Sequence, residues 1–244
     1  MPDTIQSILH DRTSGASALL ARFVSEIDHL KKEEFWSALQ QLQAAFPVMA
    51  VWKYAEEYFT EGGWSTTTVK QFKIHIQTAR EKVLSAAETK LSEFSRFLTI
   101  SRSSLVESFL LTKTRSDGPH VVCSISLPGE EGLDLHHNLK KAGAASKCVQ
   151  DWELVHQLDS VDVVLMGADW LTDEVIVNKW GSAELVDEAN RLNKPVYVLA
   201  ESFKHTAHSG FDEGQFHQDR STGVIQRKIK VFEIIPRTPG IIVL

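Results

Sequence analysis

Residues 161–204 read VDVVLMGADWLTDEVIVNKWGSAELVDEANRLNKPVYVLAESFK. The stretch opens on a near-continuous apolar run, VDVVLMG, and closes on another, PVYVLA. Between them, AELVDEANRLN places apolar residues at helical spacing. A strand with one face in water would alternate apolar and polar residues. Strands that are apolar throughout, joined by an amphipathic helix, belong to a parallel sheet covered on both faces.

The same alternation extends outward. Toward the N-terminus, FLTIS (97–101) precedes SSLVESFLL, HVVCSIS (120–126) precedes EEGLDLHHNLKKAG, and ASKCV (145–149) precedes WELVHQL. Toward the C-terminus, VFEIIP and IIVL close the chain. The first hundred residues have a different period. Leu19, Leu20, Phe23, Ile27 and Leu30 fall on one helical face, and Phe35, Leu39, Leu42 and Phe46 on another. Pro47 starts a third helix, VMAVWKYAEEYFTE, which Gly62-Gly63 ends. The longest stripe runs Phe72, Ile76, Ala79, Val83, Ala87, Leu91, Phe94 and Leu98, with hydroxyls at Ser65 to Thr68 to cap its start. The expected architecture is a helical bundle over residues 1–97 followed by an α/β domain over 98–244. Its sheet is mostly parallel, with helices on both faces.

The composition narrows the function. Of 244 residues, 43% are hydrophobic and 24% charged, and the net charge is -6, so neither nucleic acid nor an anionic membrane is the expected partner. No apolar run is long enough to span a bilayer, and the opening MPDTIQSILHDRTSG lacks the apolar core of a signal peptide. A cytoplasmic location is expected. Cys123 and Cys148 lie in apolar runs and read as reduced core thiols.

In open parallel sheets, ligands bind at the carboxyl ends of strands. Three such ends carry polar residues, and a fourth polar segment precedes a helix. Thr99 to Ser104 joins hydroxyls and Arg102 to a helix start, an arrangement suited to an anion or to simple capping by Ser103 or Ser104. Asp169 ends the most apolar strand, where it can act as acid or base or cap the next turn. Just before a helix, Lys179 can meet a phosphate as a point charge and Asn178 can donate and accept, or the two belong to a polar loop. Glu201 and Lys204 follow PVYVLA as an ion pair that is structural or touches ligand. His205, His208, Asp212, Glu213 and His217 have no zinc-like spacing and read as a solvated loop. His136-His137 read as surface. No metal and no cofactor are expected.

In order, GAD, a short spacer, N-K-x-G, a helix and K-P-x-Y-V resemble one family. It contains the regulatory alpha, beta and delta subunits of eukaryotic translation initiation factor 2B, together with 5-methylthioribose-1-phosphate isomerase and ribose-1,5-bisphosphate isomerase. SGASALL, FPVMAVW, LTISRSS, LPGEEG and VFEIIP extend the likeness over most of the chain. The resemblance implies a helical N-terminal domain and a Rossmann-like C-terminal domain through which the chain would form a homodimer. It also implies a phosphorylated sugar or nucleotide as ligand. Asp169 resembles the isomerases' catalytic Asp, and Asn178 and Lys179 their substrate-holding pair. Ser101 stands where the isomerases have Cys, and Ile100 where they have His. Ile125 and Leu127 replace a Glu and an Arg, Phe46 replaces an Arg, and Ser14 replaces the Arg of an R-G-A segment, with Arg12 two residues earlier. The resemblance therefore implies a kept scaffold with damaged isomerase chemistry. The first expectation is a non-catalytic, regulatory binding protein; the alternative is an aldose–ketose isomerase acting on a 1-phosphorylated ribose.

Overall fold

The structure is a computed structural model that describes residues 3–115, 118–207, 213–222 and 225–244. Five helices come first: α1 (Asp3–His10), α2 (Ala16–Glu26), α3 (Lys32–Ala45), α4 (Ala50–Gly62) and α5 (Thr66–Lys90). Their core is aromatic, built on the fully buried Phe23, Phe35, Trp52, Phe59 and Phe72. Phe23 meets the edge of Trp52 at a centroid distance of 5.8 Å, and Phe35 packs on Phe59 at 4.7 Å. Such offset and edge-on pairs use the ring quadrupoles as well as buried area. Ser65 caps α5 by accepting the backbone N–H of Thr68.

Later elements are, in chain order, β1 (Arg96–Thr99), α6 (Ser104–Thr114), β2 (His120–Ser124), α7 (Glu131–Lys141), β3 (Ala145–Val149), β4 (Val163–Met166), β5 (Trp170–Leu171), β6 (Val175–Lys179), α8 (Ser182–Arg191), β7 (Val196–Val198), β8 (His217–Thr222), β9 (Ile225–Lys230), β10 (Phe232–Pro236) and β11 (Ile241–Val243). Six strands form one sheet in the order β11-β7-β4-β1-β2-β3, every pair parallel. α5, α6 and α7 cover one face through Val83, Ala87, Phe109 and Leu135. α8 and the turns at 155–160 cover the other through Leu158, Leu185 and Ala189. The α/β architecture expected from the alternation is therefore the one observed.

Three segments differ from the sequence reading. The long helical stripe ends at Lys90, and Leu98 belongs to β1. Spacings of three and four continue through Phe94 and Leu98, but Leu98 pairs with Val122 on one side and Val164 on the other, and only a strand can do that. The segment after GAD, read as a loop, is the β5–β6 ladder, completed by β10 in a separate antiparallel sheet. The end of β6, Asn178 and Lys179, pairs only with β10, more than fifty residues away, so no local signal marks it as strand. The polar stretch near residue 217, read as solvated loop, contains the β8–β9 hairpin, with His217 opening β8 and Glu213 in the turn before it. His208 and Asp212 lie outside the described residues. Among the described residues, no group of three or more His, Cys, Asp and Glu is placed to hold a metal, and no helix is long and apolar enough to cross a membrane.

The strand order reverses between β1 and β4. From β1 the chain winds outward to β2 and β3, then returns to β4 and winds the other way to β7 and β11. That leaves a crevice above the carboxyl ends of β1 and β4. The next strand end is held tightly as well, because a Cβ on Gly132, in the first turn of α7, would lie 1.8 Å from the carbonyl oxygen of Ser124. Gly132→Ala should therefore lower the melting temperature by several degrees, in line with about 1–3 kcal/mol for overpacking. An unchanged melting temperature would mean that α7 does not start against β2 as described.

Candidate ligand-binding site

A cavity of about 280 Å³ fills the crevice. That is near the low end for small-molecule sites. Its walls come from both halves of the chain. The bundle contributes the loop before α2 and the segment before α4; the sheet contributes the ends of β1, β4 and β6, the start of α7, and Lys204.

The β1 end turns sharply at Ser101, whose φ is 63°. Ser126 Oγ accepts the backbone N–H of Ser101 at 2.8 Å, and the Ser101 hydroxyl donates to Glu131 Oε1 at 2.9 Å. Ser103 then caps α6. The β4 end lies against this turn only because residue 167 is glycine: a Cβ there would meet Ser103 Oγ at 2.7 Å. The starts of α6 and α2, at Ser104 and Ala16, both line the cavity, and the positive end of a helix favours an anion. The loop before α2 is pre-formed. Asp11 Oδ1 accepts the N–H of Thr13 at 3.0 Å and of Ser14 at 2.9 Å, and Oδ2 receives Arg22 at 2.6 Å. Burial raises the Asp11 pKa, but these donors outweigh it and bring it down to about 2.

Asp169 is partly exposed and lines the cavity. Its carbonyl accepts the N–H of Ala50 at 3.1 Å. Loss of water around the carboxyl raises its pKa. Lys204, the Ala16 N–H and Lys179 oppose that, Glu131 adds to it, and the net direction is upward.

Of the nine residues singled out in the sequence, eight line this cavity: Ser101, Arg102, Ser103, Ser104, Asp169, Asn178, Lys179 and Lys204. Glu201 does not line it. It stands behind Lys204 as a buried ion pair at 3.1 Å, also accepting from Ser17 at 3.0 Å. Burial would raise the Glu201 pKa, yet Lys204 and the local donors hold it below the ordinary value. Asn178 and Lys179 are buried at the end of β6 rather than in a polar loop, with Asn178 Nδ2 donating to Ser182 Oγ at 2.9 Å. Arg102 pairs with Glu107 at 2.8 Å, and with Asp134 at 3.6 Å, so a carboxylate already holds the guanidinium. Cys123 is fully buried on β2 and does not line the cavity.

The sequence reading missed Glu131, a wall residue whose Oε1 also receives Lys179 Nζ at 2.5 Å. The rule that found the other residues also applies here, since Glu131 opens the helix after β2. Arg12 and Phe46 also line the cavity, the guanidinium carbon lying 5.1 Å from the ring centroid.

Asp169 yields a test with a definite sign. The folded chain binds its proton more tightly than the unfolded chain does, so stability falls as pH rises from the unfolded value toward the higher folded one. Asp169→Asn should raise the melting temperature at pH 7, with the gain shrinking as pH falls toward 4. A lower melting temperature for the variant at pH 7 would show that the lysines outweigh desolvation.

The chain has relatives of known name. It is 32% identical over 132 residues to translation initiation factor eIF2B subunit alpha of Dictyostelium discoideum, covering 50% of this chain and 41% of the relative. It is 24% identical over 181 residues to a ribose 1,5-bisphosphate isomerase of Archaeoglobus fulgidus, covering 69% of this chain and 58% of the relative. The chain thus spans roughly half the length of these curated relatives. In fold it matches the crystal structure of Pyrococcus horikoshii OT3 translation initiation factor eIF-2B with a TM-score of 0.83 at 21% identity, over 99% of this chain and 95% of that one. It also matches the tetrameric eIF2B-beta2-delta2 complex from C. thermophilum with a TM-score of 0.68 at 16% identity, over 96% and 84%. The model of the initiation factor 2 subunit family matches residues 11–231, and the chain belongs to that family.

Proposed function

We propose that this protein binds a small phosphorylated sugar or nucleotide in the switch-point cavity and acts by holding it, as a regulatory member of its family rather than an isomerase. The observation that carries this reading is Ser101. It occupies the position where the resemblance implies the isomerases' thiol, and its hydroxyl is engaged by Glu131 Oε1 at 2.9 Å. Aldose–ketose conversion moves a proton between neighbouring carbons and needs an acid and a base beside them. An alkyl hydroxyl is a far weaker acid than a thiol, and neither cysteine of the chain lines the cavity. The two helix starts, Arg12, Lys179 and Lys204 support anion binding.

Asp169 favours a second reading. A carboxyl with a raised pKa at the cavity wall suits acid–base work, and one relative is named a ribose 1,5-bisphosphate isomerase. We further propose that residues 1–97 and 98–244 are the chain's two domains, that the latter mediates a homodimer, and that the protein works in the cytoplasm.

Thermal melting against ribose 5-phosphate, AMP, ribose 1,5-bisphosphate and methylthioribose 1-phosphate tests the binding reading. A ligand at about 100 times its dissociation constant adds roughly 2.7 kcal/mol, a shift of about 5 °C or more at this size. The expected result is a shift with at least one ligand and no product by NMR. Turnover that Asp169→Asn abolishes would favour the isomerase. No shift with any ligand would overturn small-molecule binding and leave a protein-partner role.

A further inference from the structure

Ser101 and Glu131 meet on the cavity wall, and both rest on a turn that does not itself line the cavity. The turn runs from Ser126 to Glu130, between β2 and α7. Ser126 and Glu130 adopt φ of 67° and 59°, and Ser101 adopts 63°. Left-handed backbone is unfavourable for residues other than glycine and persists where surrounding contacts impose it. Apolar burial does not impose it here, since Leu127 is 50% exposed and Glu130 is exposed. Hydrogen bonds do.

The carboxylate of Asp151, just beyond the end of β3, takes two consecutive backbone N–H groups of the turn. Oδ1 accepts from Ser126 at 2.6 Å and Oδ2 from Leu127 at 2.7 Å. Each oxygen has its own donor, and both bonds are charge-assisted. Ser126 Oγ then accepts the N–H of Ser101 at 2.8 Å, and the Ser101 hydroxyl donates to Glu131 Oε1 at 2.9 Å. The Ser126 carbonyl takes the N–H of Glu130 at 3.0 Å, which sets the entry to α7 and so to Glu131. A chain of hydrogen bonds thus runs from Asp151, which does not line the cavity, to two residues that do.

Resting on the binding reading above, we propose that Asp151 is a positioning residue for the site. Its carboxylate acts through Ser126 to hold Ser101 and Glu131 in the arrangement that the cavity presents to a ligand. Loss of one of its acceptor oxygens frees the turn, and Ser101 loses its fixed direction.

Two measurements on the full chain test this, with wild type, Asp151→Asn, Ser126→Ala and the double variant. Asp151→Asn keeps the side chain's size, replaces one acceptor oxygen by a donor amide and removes the charge. The first measurement, amide hydrogen exchange at Ser101, needs no ligand. Exchange should quicken roughly tenfold or more in either single variant. The double variant should add little, because both changes break one path. The second measurement is ribose 5-phosphate affinity well below the melting temperature, where each variant is fully folded. Affinity should fall roughly tenfold or more for Asp151→Asn. Unchanged Ser101 exchange in a folded Asp151→Asn overturns the proposal, whatever binds. Faster exchange with unchanged affinity also overturns it and leaves Asp151 a structural anchor. Should Asp151→Asn not fold, Ser126→Ala carries both measurements, since it breaks the next link alone. If the wild type binds no ribose 5-phosphate, the positioning role falls with the binding reading, and the exchange result then shows whether the hydrogen-bond path stands without it.

Discussion

One residue joins the two halves of the molecule at the crevice. The Asp169 carbonyl takes the N–H of Ala50 at the start of α4 at 3.1 Å, and its carboxyl lies at the cavity wall beside the start of α2. That bond supplies an acceptor to a helix-start N–H that its own helix cannot satisfy. The bundle is thereby set over the carboxyl ends of β1 and β4, and the crevice becomes a cavity. An apolar contact reinforces the junction, with Val48 and Ala50 packing against Trp170, Val177 and Phe216.

The site's electrostatics follow from this closure. Enclosure removes water, which raises the Asp169 pKa and strengthens every pairing nearby. The chain responds by pairing its buried charges: Lys204 with Glu201, and Lys179 with Glu131. Such pairs offset desolvation, and removing one partner would expose the other to its full cost. Among the described residues, Arg12 is the cavity's one guanidinium or ammonium group without a carboxylate partner.

Much of this was legible in the residues. The apolar strands and the helices between them specified the main sheet, because strands buried on both faces must be apolar throughout. The rule that ligands meet strand ends pointed to six of the cavity residues, Ser101, Arg102, Ser103, Ser104, Asp169 and Lys204. Hidden features depended on contacts distant in sequence. β6 becomes a strand by pairing with β10, so Asn178 and Lys179 looked like loop residues. Leu98 kept the helical period of α5 but lies between two parallel strands. Glu131 passed as an ordinary first-turn acid, since nothing local shows that Ser101 and Lys179 converge on it.

The central claim is that the cavity holds a phosphoryl group at the Arg12 end. Arg12 is exposed and forms no ion pair among the described residues, so its removal should not unfold the chain. The most direct measurement is ribose 5-phosphate affinity for the wild type and for Arg12→Ala, at fixed ionic strength. A charge-assisted hydrogen bond contributes about 1.5–3 kcal/mol, so a loss of roughly tenfold or more is expected. Equal affinity for the two proteins would contradict the account and move the phosphoryl group elsewhere.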